Sequence, residues 1–392
     1  MSGDPPERRG QPSRLFCNGL NEAIDPIGSS PKTITMDSRR LTFHSVSHFI
    51  HHHLLWFLIG AYMLSAIRPT AGLWIRNQTF GELHIFQETL HVSLLLMLLA
   101  TLMFNAGLGV KMSHLTSLAK RTRVLFAGLA ANLIIPMTYI FLVTLIMRLW
   151  YEPEEAQHIL IGLALVAAMP IAGASTAWAQ NSNGNLALSL GLVLASTVLS
   201  PVLTPVALNV FGEMATEEYQ KVIQNLAAYG SVTFLGLWIV FPSLLGLSVR
   251  LVAPEAQLTA LLPIIKLVNS MVLLLLNYSN GSVSLPQAVA DRDYDFLAVT
   301  LAITVGLCMT AFSSGYGLSR LFKVDAAERV SLMYGLGMNN NGTGLVLASL
   351  ALSAYPRVMV PIIFYNIVQH LVAGGVHEVM GQKSEERNVT RT

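Results

Sequence analysis

Two short polar stretches interrupt long apolar runs, and their residue types are those that bind ions. The second, "MYGLGMNNNGTGLVLA" at 333–348, sets Asn339, Asn340 and Asn341 among Gly335, Gly337, Gly342 and Gly344. The first, "AAMPIAGASTAWAQNSNGN" at 167–185, places Pro170 ahead of Gly173, Ser175 and Thr176. Proline lacks an N–H and clashes with the preceding turn, so a helix opens there. Such a break frees carbonyl oxygens at one half-helix end and N–H groups at the other. Carbonyl, amide and hydroxyl oxygens can replace the water shell of a small cation. Free N–H groups at a positive dipole end attract an anion.

Non-helical backbone at membrane depth survives only where it is buried in protein or lines a wet cavity. The composition places the breaks in a membrane. Of 392 residues, 53% are hydrophobic and 12% charged, about half the ~25% charge of soluble domains. Ten apolar runs fall near 48–67, 90–111, 123–149, 157–181, 185–211, 229–250, 257–279, 296–321, 327–353 and 357–380. Each approaches the ~20 residues that cross a hydrocarbon core.

With the N-terminus inside, 17 Lys and Arg lie in inner segments and six in outer ones. Both termini are therefore expected in the cytoplasm of a multi-pass cell-membrane protein. Spans two to five recur as spans seven to ten at offsets of 167, 173, 170 and 172 residues. Five spans per half is odd, which inverts the second half relative to the first. The expected organisation is a flexible cytoplasmic tail (1–45), inverted halves at 46–215 and 216–380, and a second tail at 381–392. The fold class is all-α and polytopic, with interrupted helices four and nine crossing near mid-bilayer.

Span four with "NLALSLGLVLASTVLSPVLTPVAL", and "GLGMNNNGTG" in span nine, resemble the bile acid:sodium symporter family over most of 48–380. The resemblance implies panel and core domains and sodium-coupled uptake of an organic anion by alternating access. The anion would be a bile acid, a sterol sulfate or a small carboxylate. It also implies a sodium set of Ser175, Thr176, Ser189, Asn339 and Met338, and a substrate set of Gly173, Asn340, Asn341, Gln369 and His370.

The pattern departs in several places. Thr176 replaces an asparagine, Val193 a hydroxyl, Gly335 the span-nine glutamate and Asn339 its glutamine, while Ala131 beside Asn132 replaces a span-three glutamine and Gln369 with His370 stand at a His-Asn pair. No Asp or Glu lies mid-span, which argues against a carboxylate-based cation/proton antiporter. Sodium-independent uniport or exchange, with Lys266 as a fixed cation, and a ligand-binding membrane sensor remain alternatives. Lys266 stands about nine residues into span seven, so snorkelling to the interface is its simpler role.

The remaining signals are local. His48, His51, His52 and His53 cluster at the start of span one without a carboxylate or cysteine beside them, so an interfacial role is expected there. "EEYQKVIQNLAAYG" (217–230) reads as an amphipathic interfacial segment and "DRDYDF" as a solvated loop. A net charge of +2 points to no nucleic acid. The expected partners are a small organic anion, membrane lipid and Na+. No Ser/His/Asp order suggests an enzyme.

Overall fold

Apolar sequence in a bilayer must bond every backbone N–H and C=O within its own segment, and a helix does so. The computed structural model describes residues 49–50, 53–85, 88–110, 121–229 and 232–389. The tail at 1–45 and His48, His51 and His52 lie outside the described residues. His53 lies within them, and its ring bonds the Phe49 carbonyl at 3.0 Å.

In chain order the helices begin with α1 (Leu54–Ile67) and α2 (Thr70–Asn77), bent by 95° where Arg68–Pro69 intervene. They continue as α3 (Leu94–Leu108), α4 (Thr122–Met147), α5 (Pro153–Ala168), α6 (Ala174–Asn181), α7 (Leu186–Gly212) and α8 (Glu217–Tyr229). Helix α9 covers 232–252, with a π-helical turn at Gly236–Val240. Then follow α10 (Glu255–Ala290), α11 (Tyr294–Leu321), α12 (Ala326–Gly337), α13 (Asn341–Ala351) and, after a 3-10 turn, α14 (Met359–Val389). Among the described residues six helices are each long and apolar enough to cross a membrane, and the bent α1–α2 pair would add a seventh.

The architecture is all-α apart from one antiparallel hairpin before α3, β1 (Thr79–Ile85) with β2 (Glu88–Ser93). "GELHI" and "ETLHVS" alternate polar and apolar residues, the period of a strand, and Leu83 pairs with Leu90 across the ladder. The hairpin takes residues assigned to span two, leaving α3 with 15 residues, about 22 Å of helix.

Burial separates an interior from a jacket. Ile159–Ala168 of α5, Val330–Gly337 of α12 and Thr343–Ser349 of α13 are all buried. Large apolar side chains stand out on the surrounding helices, including Phe126, Ile134, Ile146, Val202 and Phe241. An apolar exterior is stable only against lipid, and the broken helices are the elements kept away from it. Helix α8 follows the expected amphipathic pattern, burying Tyr219, Ile223, Leu226 and Ala227.

Two features pin the ends of this interior. Glu155, third residue of α5, is 2% exposed and bonds Arg357 (3.2 Å), which also holds Asp291 (3.0 Å) and Asp293 (2.9 Å). Glu328, third residue of α12, is fully buried and pairs with Arg121 at 2.8 Å. The clusters lie at opposite ends of α11, which begins after Asp293 and packs its last turn on Arg329 through Ser319.

Burial and the neighbouring Asp293 push the Glu155 carboxyl up to about 7, although Trp150 donates to it. Against its own burial, Asp293 is held below its usual range by the neighbouring Glu155 carboxyl, by Phe296 N–H and by Arg357. A carboxyl raised on folding contributes stability below its unfolded value of 4.5 and loses it as pH rises through about 7. Glu155→Gln should therefore flatten the fall in thermal unfolding temperature across that window; an unchanged pH profile would refute the assignment.

Helices α3 and α9 meet through glycines. A Cβ on Gly107 would lie 1.9 Å from the Ser243 carbonyl oxygen, and one on Gly246 1.9 Å from that of Phe104. Such contacts let membrane helices approach closely. Gly246→Leu is expected to cost about 1–3 kcal/mol or more by overpacking, read as a lowered unfolding temperature in detergent.

Candidate functional site

The first break follows from Pro170. Helix α5 stops at Ala168, and Met169 is extended (φ −77°, ψ 148°) as the residue before a proline prefers. The second break has no proline. Helix α12 runs out through Gly335 and Gly337, and Met338 is extended (φ −125°, ψ 110°). The two extended pieces pair with each other as an isolated antiparallel bridge, Ile171 opposite Asn339. Ala172 N–H donates to the Met338 carbonyl (2.9 Å) and Asn340 N–H to the Pro170 carbonyl (2.8 Å). Each break thus satisfies backbone groups exposed by the other.

Side chains complete the crossing. Ile171 N–H donates to Ser196 Oγ (3.1 Å), and Asn339 Nδ2 to the Val166 carbonyl in the last turn of α5 (2.9 Å). Asn340 caps α13, its Oδ1 accepting from Thr343 N–H at 3.3 Å. A chain of amides leads outward from there. Gln369 Oε1 accepts from Asn339 N–H (3.1 Å) and Asn341 Nδ2 (3.0 Å), and its Nε2 donates to Asn366 Oδ1 (3.2 Å). Asn366 Nδ2 donates to Tyr62 OH (2.8 Å) and Asn277 Oδ1 (2.9 Å), and Tyr62 OH closes the triangle on Asn277 (2.5 Å). The chain joins the crossing to α14, α10 and α1.

The structure therefore brings Asn339, Asn341 and Gln369 into one buried network. Asn340 is half-buried and turns Nδ2 to Met103 Sδ of α3 at 3.6 Å. Gly173 is exposed, with Ala106 of α3 the nearest group to its Cβ position. Both residues face α3 rather than the network. His370, half-buried on α14, is one residue beyond Gln369 and outside that chain of bonds. Thr176 and Ser189 meet, Ser189 Oγ donating to Thr176 Oγ1 at 3.1 Å. Met338 contributes its bridged carbonyl while its side chain is buried. Lys266 is exposed on α10.

Four buried oxygens at the crossing have no hydrogen-bond partner: Ser175 Oγ, Asn339 Oδ1, Asn341 Oδ1 and Thr343 Oγ1. Neutral oxygens left unpaired in a low dielectric are costly unless a ligand takes them. The Ser189 and Thr176 hydroxyls are bonded to each other, and Ser175 Oγ, next to Thr176 in the chain, is left unpaired. The span-nine carboxylate position is closed: a side chain on Gly335 would start 2.9 Å from Leu192 Cδ1, so Leu192 fills that space.

Residues 96–286 match the profile described as the Sodium Bile acid symporter family. Over that stretch, just under half of its length, the chain is similar to that family. The matched stretch contains the first break and ends before the second. Three relatives agree. An uncharacterized Bacillus subtilis protein, YbaS, is 28% identical over 218 residues, 54% of this chain. The "uncharacterized sodium-dependent transporter YocS" of the same organism is 25% identical over 313 residues, 77% of the chain. The "probable sodium/metabolite cotransporter BASS1, chloroplastic" of Arabidopsis thaliana is 24% identical over 304 residues, 75% of the chain. The matches span 65%, 88% and 65% of those relatives' lengths. Members of the family are transporters rather than enzymes.

Sequence reasoning missed Tyr62, Asn277 and Asn366. A signal existed for Asn277, which with Asn280 and Ser284 repeats at helical spacing in an apolar run. Gln369→Leu removes the acceptor of two buried donors and is expected to cost about 2–4 kcal/mol. A wild-type unfolding temperature in that variant would contradict the network.

Proposed function

We propose that this chain is a secondary transporter that moves a small organic anion, bile acid-like or carboxylate, across a membrane by alternating access, coupled to Na+. In this reading it forms ten spans in two inverted halves, 46–215 and 216–380, with both termini cytoplasmic. The observation that carries the reading is the bridge between the breaks. It gathers four half-helix ends at one place, the C-termini of α5 and α12 and the N-termini of α6 and α13. The first pair favours a cation and the second an anion. Gly173 and Asn340, at the two N-terminal ends, form with α3 the face on which we place the substrate. Ser175, Thr176 and Ser189 are the proposed cation ligands, with Asn339 Oδ1 and the Met338 carbonyl across the crossing.

Inversion is supported by equivalent starts. Helices α4 and α11 begin 172 residues apart, at 122 and 294, and α7 and α14 begin 173 apart, at 186 and 359. Glu155 and Glu328, each third in its half-helix and each buried, are also 173 apart. The excess of Lys and Arg in inner segments supports the orientation. The relatives' printed names, a sodium-dependent transporter and a sodium/metabolite cotransporter, support the coupling ion. Exposure of Lys266 supports an interfacial side chain over a fixed cation in the pathway.

Uptake of labelled taurocholate, pantoate or pyruvate into proteoliposomes tests this. An inward Na+ gradient should drive uptake, and K+ or choline should not. Equal uptake in all three would remove the coupling and leave uniport, whereas binding without flux would mean a sensor. Asn340→Ala is expected to weaken apparent affinity about tenfold, the loss of one amide contact to a charged ligand. Lys266→Met should leave uptake unchanged.

A further inference from the structure

We propose that a small cavity between α4, α5 and α7 binds one dehydrated monovalent cation, at a site separate from the Ser175, Thr176 and Ser189 hydroxyls. The cavity measures about 30 Å³ and is lined by Asn132, Ala168, Pro170, Ser196, Ser200 and Thr204 among others. That is room for a single ion or a single water. An organic substrate does not fit.

The polar atoms around this space are acceptors whose protons point elsewhere. Ser196 Oγ donates to the Val193 carbonyl (3.0 Å), Ser200 Oγ to that of Thr197 (2.8 Å) and Thr204 Oγ1 to that of Ala168 (2.6 Å). Each hydroxyl oxygen therefore keeps lone-pair capacity with no proton left to give. Pro170 has no N–H. The Ala168 carbonyl closes α5, at the negative end of its dipole. Asn132 is 8% exposed and its Oδ1 is buried without a partner.

A water in this space has two protons to donate, too few for the oxygens of Asn132, Ser200 and Thr204 together with Ser196 Oγ and the Ala168 carbonyl, which already accept one bond each but keep a lone pair. A cation engages them together. No carboxylate lines the cavity, which selects a monovalent ion, because Ca2+ sites are built on carboxylates.

The site also touches the crossing. Ser196 Oγ, on the cavity wall, holds Ile171 N–H, and the Pro170 carbonyl holds Asn340 N–H. An ion drawing on these oxygens acts on both sides of the bridge. The inference takes its purpose from the transport reading, but its test does not depend on transport.

Thermal unfolding of the purified full-length protein in detergent, titrated with NaCl against choline chloride at constant ionic strength, provides that test. Wild type should gain stability along a saturable Na+ curve. Asn132→Leu, which removes the orphaned oxygen, should raise the Na+ midpoint about tenfold, the loss of one ion–dipole contact. Ser200→Ala should raise it about threefold, a partial loss on the same scale, and decides the matter alone if Asn132→Leu does not fold. Ser189→Ala should leave an Asn132-dependent component in place. No Na+ effect in wild type, or wild-type curves in Asn132→Leu and Ser200→Ala, would mean that the cavity holds water and would overturn the site. Uptake in the same variants separates the two readings. An Asn132-dependent titration with no uptake by wild type under any gradient sinks transport and keeps the site. Na+-driven uptake with titrations indifferent to both substitutions does the reverse.

Discussion

Pro170 and Met338 present carbonyls, and Asn340 and Ala172 present N–H groups, where two interrupted helices cross in the interior. No water shell stands ready for them there, and an unpaired backbone group in such surroundings costs several kcal/mol. The antiparallel bridge between Ile171 and Asn339 removes that cost for both breaks at once. Neither interruption is stable alone. Each half-helix pair is held open by the other, which ties two segments about 170 residues apart into a single unit.

The rest of the interior is organised around keeping that unit in place without filling it. Asn339 spends its N–H on Gln369 and its amide nitrogen on Val166, yet its carbonyl oxygen stays unpaired, as do those of Asn341 and the hydroxyls of Ser175 and Thr343. Donors are consumed by structure and acceptors are left over. The cation site proposed above would draw on that asymmetry, because neutral oxygens must be numerous and uncommitted to compete with water. The same bias recurs beside Pro170, where the hydroxyls of α7 give their protons to carbonyls.

Charge is kept to the ends. Glu155 and Glu328 enter the interior as the third residues of the two first half-helices, where a carboxylate complements the helix dipole. Each is held by an arginine from another element, Arg357 or Arg121. Arg357 serves Asp291 and Asp293 as well, so one end carries three carboxyls on one arginine and the other a simple pair. The two ends of α11 are thereby fastened differently, although the helices they close are equivalent by position.

Local physics made much of this legible in the residues. Apolar run length marked the long helices α4, α7, α9, α10, α11 and α14, and Pro170 and the glycines around Asn339–Asn341 marked the two interruptions, because backbone preferences act over a few residues. The cluster of amides and hydroxyls was visible for the same reason. The hairpin at residues 79–93 went unread although its residues alternate as strands do, since a hairpin forms only when two such strands meet. Packing alone decided what joins what. Tyr62 finds Asn277 and Asn366 across more than 200 and 300 residues of chain, Leu192 fills the space beside Gly335, and Ile171 pairs with Asn339. These partnerships depend on how distant helices stack, and side-chain type at one position carries no record of what folds against it.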